Sequence, residues 1–409
     1  MTEDKATLTV PFSCHRVTVY FIYSFVPAFK NGKAVYPPDL PKARGTEHMG
    51  TPSSRESIVP HLSLRADSAW FESSKRSGTV AGREFSFGSL IRIFPSGATC
   101  CLTLDVTGKP TQKLSTVDIL KLLNLTSQRP GASTVAPEPM YLEGEGSGRK
   151  SLYDRFEELV TNLCTEHSLD RLDVKYDLIE PGREGQSPWL VTVAAVDGEI
   201  AEAFCGHGDA ADDPARTKMI KIRRYEPSIA PILFRSVADQ LFLEPAYVEP
   251  PTPVGIPGLF SVNLDARLFV CMSRRSILCV CENSDVDPAS YFVPGLLDVC
   301  EMVRARWHSL VTLNKLIDLT IRQMVDPKKK KLFKQSKVLS LRQMLATGLE
   351  DPTVYIIAGD ALSKLYLKLR EIFRLDELKS TLIEKMDLMD RVYRDALQLS
   401  WLSGQEPEE

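Results

Sequence analysis

The chain lacks the long apolar run that a membrane helix needs. No uncharged apolar window approaches about 18 residues. The most apolar early stretch, Val17 to Val26, is too short to cross a bilayer and rich in β-formers, so it reads as a buried strand. A disulfide framework is missing as well. Nine cysteines are an odd number, scattered from Cys14 to Cys300 in a chain far larger than a disulfide-stapled module, which points to reduced thiols. The first ten residues open acidic and polar, without the basic-then-apolar order of a secretory signal. No Cys-x-x-Cys, His-Glu-x-x-His, Gly-x-Ser-x-Gly or Rossmann glycine pattern occurs. Charge of one sign is also scarce: a net charge of −3 and a pI near 6.2 give no global pull toward nucleic acid or acidic membranes. These absences leave a cytoplasmic protein without a transmembrane segment as the expectation.

What is present is globular. Hydrophobic residues make up 43% and charged residues 25% of 409 residues, a composition that supports a sizeable core. The pattern predicts an α+β fold, with β-rich N-terminal and middle regions followed by long C-terminal helices as a helical hairpin or coiled coil. Residues 1–125 read as a β-rich domain, 126–150 as a linker, 151–286 as an α+β middle domain and 287–409 as helical.

Val17 to Val26 is followed by Pro27, which ends a strand. Leu90–Phe94 and Cys100–Leu104 flank Pro95-Ser-Gly97 and predict a hairpin. Ser115-x-x-Asp118 is an N-cap pattern ahead of a short amphipathic helix. Residues 30–57 read as a long loop. A helix follows over 151–167, then strands at 172–178, 189–196, 199–204 and 218–225, and a helix near 228–240. Strands 259–272 and 276–282 form a hairpin around Ser273-Arg-Arg275. From Asp287 the apolar period becomes helical, through Leu297, Cys300, Val303, Trp307, Leu310, Ile317 and Met324, ending at Asp326-Pro327. A shorter helix lies near 336–347. The last stripe, Leu362, Leu365, Leu369, Ile372, Leu378, Leu382 and Met389, continuing to Leu399, predicts one rod over 360–402. Such a rod packs on the 287–325 helix as an antiparallel pair, or on a second chain.

In outline, a β-rich α+β body followed by long helices resembles the cytoplasmic part of CorA-like metal-transport proteins. Their Gly-Met-Asn pore motif and paired membrane helices are missing from these residues, and Met49-Gly50 is no substitute. The likeness covers architecture and carries no expectation of transport.

Three clusters carry candidate chemistry. Cys205, His207, Asp209, Asp212 and Asp213 gather thiol, imidazole and carboxylates in a Gly-rich loop, the donor types of a divalent-metal site. They are the basis of a metal-dependent hydrolase or nuclease reading, although no second ligand pair accompanies them. Lys328, Lys329, Lys330, Lys331, Lys334 and Lys337 put six lysines in ten residues, with Phe333 between, and could grip phosphate backbones. The stripe from Leu362 to Met389 is the candidate oligomer interface. Gly144 to Ser151 is not a phosphate loop, because Arg149 separates Gly148 from Lys150. Cys279 and Cys281, on one face of an alternating strand, and the Cys100-Cys101 pair read as core. His308, one turn from Arg304, reads as an edge residue of a packed helix, and His15, His48, His61 and His167 have no partner nearby in sequence. The leading expectation is a non-enzymatic assembly, sensor or scaffold protein that oligomerises or binds another protein through its C-terminal helices. A catalytic role and a nucleic-acid-binding role are its alternatives, and no cofactor is indicated.

Overall fold

The computed structural model describes residues 11–29, 69–80, 83–94, 97–108, 113–124, 142–143, 149–150, 152–172, 188–206, 221–222, 224–234, 268–273, 276–283, 288–325, 341–342 and 360–402. The fold is α+β. In chain order the strands are β1 (Ser13–Cys14), β2 (Arg16–Phe25), β3 (Pro27–Phe29), β4 (Ala69–Val80), β5 (Arg83–Phe94), β6 (Gly97–Thr107), β7 (Leu114–Ser115), β8 (Leu142–Glu143), β9 (Arg149–Lys150), β10 (Leu169–Arg171), β11 (Trp189–Val196), β12 (Leu268–Met272) and β13 (Ser276–Glu282). The helices are α1 (Thr116–Asn124), α2 (Leu152–Glu166), α3 (Gly198–Cys205), α4 (Glu226–Phe234), α5 (Pro288–Val325), α6 (Asp360–Ile372) and α7 (Leu375–Leu402).

Seven strands make one sheet in the order β12-β13-β11-β2-β6-β5-β4. The β4-β5-β6-β2 part is an antiparallel set built from the hairpin around 95–96 and its neighbours. β11 joins antiparallel to β2 and parallel to β13. The strands lie on both sides of the 126–150 stretch, so segments 1–125 and 151–286 share a sheet. Within that stretch β8 pairs with β9.

Alternation along the strands sends side chains to two cores. Ile22, Cys101, Val191, Val193, Val270, Cys279 and Cys281 face α5, α6 and α7. Phe21, Tyr23, Phe25, Cys100, Leu102, Leu190, Ala194 and Val280 face α1 to α4. With both faces covered, the central strands are buried nearly throughout, which is why they read as continuous apolar runs rather than clean alternation. Gly97, at the tip of the β5–β6 hairpin, has φ +148°, and a Cβ there would meet the Ala305 carbonyl oxygen at 2.9 Å. Only glycine lets the hairpin approach α5 so closely. α1 opens with the expected cap: Ser115 Oγ accepts from the Asp118 N–H at 3.3 Å, and Asp118 Oδ2 accepts from the Ser115 N–H at 3.0 Å.

Several elements differ from the sequence reading. The 199–204 strand is the helix α3, because Gly198 turns the chain with φ +56° immediately after β11. In the 218–225 stretch Lys221-Ile222 is helical and Arg224-Tyr225 a turn. The predicted 172–178 strand lies outside the described residues beyond Leu172, and of the 336–347 helix only 341–342 is described, as helix.

The 360–402 rod is two helices. Arg374 takes φ +50° between α6 and α7, and the break seats Phe373 between Trp189 and Trp307, with ring centroids at 5.1 and 5.9 Å. Arg374 N–H bonds back to Glu371, and Arg370 forms an ion pair with Asp376 in the first turn of α7. Phe373 lies under Arg304, whereas Lys385 pairs with Asp318 at 2.7 Å. These contacts advance in the same direction along both helices, so α7 runs parallel to α5, not antiparallel.

Candidate functional site

The C-terminal stripe faces inward. Leu362, Leu365, Leu369, Leu382 and Met389 are buried in the core shared with α5 and the sheet, and Ile372 and Leu378 pack against it, partly buried. A heptad-like pattern tells which side of a helix is covered and not which chain covers it, and here α5 does. The register with α5 also sets where that cover ends. Lys385 is level with Asp318, which places Val325, the last residue of α5, near Val392. At 1.5 Å per residue, α7 then continues roughly 15 Å past α5. Val392 and Tyr393 still pack against the core, and the sequence beyond them holds Ala396, Leu397, Leu399, Trp401 and Leu402. Near its root Leu341 is buried and Arg342 pairs with Asp390 at 2.5 Å. On the outer surfaces Leu367, Ile383 and Leu388 are exposed.

Of the 205–213 loop, Cys205 and Gly206 are described. Cys205 ends α3 buried, and its thiol donates to the Val280 carbonyl at 3.6 Å. His207, Asp209, Asp212 and Asp213 lie outside the described residues, as do Lys328 to Lys331, Lys334 and Lys337. Among the described residues no group of three or more His, Cys, Asp or Glu is placed to hold a metal ion. No described helix is long and apolar enough to cross a membrane.

All nine cysteines are free thiols, and eight are buried. Cys279 and Cys281 sit in the core below α5, where burial first and neighbouring thiols second push the Cys279 thiol well above its ordinary value. Burial does the same to Cys100, Cys271 and Cys300. These groups stay protonated and behave as small apolar side chains.

The structure brings together one cluster that the sequence keeps apart. Asp197, between β11 and α3, accepts from His15 Nε2 through Oδ2 at 2.5 Å and from the Lys113 ammonium through Oδ1. It makes no side-chain cap to its own helix. The hydrogen bonds from Lys113 and then His15 hold the Asp197 carboxyl below its usual range. His15 is fixed through its backbone, which donates to Ala195 and accepts from Gly108. Arg16, beside it, is committed to Asp105 through a two-pronged pair at 2.8 and 2.7 Å. No periodicity could have revealed the set, since 182 residues separate His15 from Asp197.

A second polar group is interior. Arg92 on β5 is buried against Asp298 and, at 3.1 Å, Glu301 of α5. Arg306 donates to the Tyr366 hydroxyl at 3.0 Å, joining α5 to α6. Arg304 stacks on Trp307 at 4.4 Å, and His308 is buried beside them on the same helix. Enclosed ion pairs of this kind hold elements in one register more than they add stability. Compared with protein-family models, curated proteins and solved structures, the chain matches none.

Proposed function

We propose that the protein is a non-catalytic cytoplasmic scaffold that oligomerises through its C-terminal helices, using the end of α7 beyond α5 as the contact. One observation carries this reading: α7 stays helical to Leu402 while its partner helix stops at Val325. A helix end of two to three turns gains little stability alone in water, and an apolar one gains most when another surface covers it. Free thiols throughout fit a reducing compartment.

Light scattering tests it on two versions of the chain. Deleting everything from Asp360 would strip Leu365, Leu369, Leu382 and Met389 from the core, so an informative truncation ends at Arg394, after Val392 and Tyr393, which pack against that core. The full chain is expected to have a multiple of the monomer mass and the truncated chain the monomer mass, with an unchanged melting temperature. Equal monomer masses overturn the proposal.

A further inference from the structure

α7 has two faces. Leu382, Met386 and Met389 are buried in the core, while Glu384, Asp387, Leu388, Arg391 and Arg394 are exposed. At 3.6 residues per turn these five share the side of the helix turned away from that core. Elsewhere along α6 and α7 charge is answered within the chain. Lys368 pairs with Glu371, Arg370 with Asp376, Arg374 with Glu377, Lys385 with Asp318 and Asp390 with Arg342. Among the described residues Glu384, Asp387, Arg391 and Arg394 stand in no ion pair. Arg394 engages only its Nε, on the Asp390 carbonyl of its own helix at 3.3 Å. Leu388, between the acidic and the basic pair, is 48% exposed, and Ile383, just before them, is 42% exposed.

We propose that this face binds a second copy of the chain, α7 against α7, antiparallel about a two-fold axis level with Met389. The inference rests on the reading that α7 is the oligomer contact, and it adds the partner and the direction. The acidic pair and the basic pair have the same spacing of three residues. One antiparallel register therefore sets Glu384 opposite Arg394 and Asp387 opposite Arg391 of the other copy, and the two-fold axis repeats both pairs. A parallel pair would set each charge against its like, which opposes binding. Leu388 lies beside the axis, so the two copies of it come together there. The remaining exposed acid of the strip, Asp395, falls opposite Ile383. Surface ion pairs contribute little energy alone, and here they set direction and register. The energy comes from the helix ends. Residues 395–402 of each copy, the stretch that extends past α5, run beside 376–383 of the other, and the overlap of the two helices is about 40 Å.

The test uses the full chain in light scattering over a dilution series, followed by charge reversal. The parent is expected to have twice the monomer mass. Arg391→Glu with Arg394→Glu sets acid against acid and should weaken the dimer about a hundredfold. Glu384→Arg with Asp387→Arg should do the same, and an equal mixture of the two variants should regain the dimer mass. All four positions are exposed, so melting curves of the variants at monomer concentrations should match each other. A second measurement reads direction without any change of charge. Cys164 is the one cysteine that is not buried, so in a Cys164→Ser background a spin label at Gln398→Cys reports one distance. Antiparallel helices crossing at Met389 put the two labels about 27 Å apart, and parallel helices about 10 Å apart. A dimer that survives charge reversal, a label distance near 10 Å, or a parent mass above the dimer overturns this proposal and leaves α7 as the contact. A monomeric parent overturns both readings.

Discussion

The two faces of the sheet are built from different materials. Toward α1–α4 the core is aromatic and aliphatic: Phe204 touches Phe12, Tyr225 and Phe269, and Tyr23 stacks on Phe156 at 4.5 Å. Toward α5–α7 the apolar layer is crossed by buried charge, with Arg92, Glu301, Arg304, Arg306 and His308 all enclosed. The first face contains short helices, each located by its own few side chains. The second must hold α5, about 57 Å long, against the sheet, and a helix with a uniform apolar stripe can slide by a turn at small cost. Ion pairs at fixed positions forbid that slide, because a shifted helix would leave a charge buried alone.

The largest expected effect breaks that pairing. Arg92→Met leaves Asp298 and Glu301 without their guanidinium and should cost about 3–5 kcal/mol in urea unfolding. Replacing Arg92, Asp298 and Glu301 together by apolar residues should recover most of that loss. A triple variant no more stable than the single one would show that the charges do more than set register. Gly97→Ala, which drives a Cβ into the Ala305 carbonyl at an unfavourable φ, should cost about 2–3 kcal/mol. Its effect should be smaller in a variant where α5 can shift. On the other face, Phe204→Leu should cost only about 1–1.5 kcal/mol, since an apolar core repacks around a smaller apolar side chain. A cost equal to that of Arg92→Met would erase the contrast.

The smallest effect concerns the Asp197 cluster. The folded state holds the Asp197 carboxyl low, so its contribution to stability is present above the ordinary carboxylate pKa and is lost as pH falls through the lowered folded value. Melting temperatures of the parent and Asp197→Asn should therefore differ at pH 7 and converge in acid. A gap that widens on acidification would contradict the assignment. The group is largely solvent-exposed, so the gap should be modest.

Much of the architecture was legible in the residues. The buried strand around Val17–Val26, the hairpin at Pro95–Gly97, the capped α1 and the long α5 follow from β-branching, turn chemistry and helical period. Two kinds of feature were not. The break at Phe373-Arg374 has neither glycine nor proline, and Ile372 and Leu375 keep the apolar stripe nearly in phase across it. A tertiary cause, the slot between Trp189 and Trp307, decides it. α3 failed for a different reason: a few residues of mixed apolar character suit either period, and only the positive φ that Gly198 adopts decides between them. The candidate sites divide the same way. The C-terminal stripe showed that it is covered and could not show by what, and His15, Lys113 and Asp197 meet only because the starts of β2 and β7 lie beside the end of β11.

The order of strands also bears on how the chain is made. β2, which ends at Phe25, sits between β6, which begins at Gly97, and β11, which begins only at Trp189. During synthesis the N-terminal strands can zip together early. β2 must then wait with one edge open, among the most apolar segments in the chain, until β11 is delivered and α5 closes over the seam. Such long-range closure is slow and leaves a nascent chain exposed to wrong pairing. The sheet that unifies the finished molecule is therefore also the step of its assembly most open to mispairing.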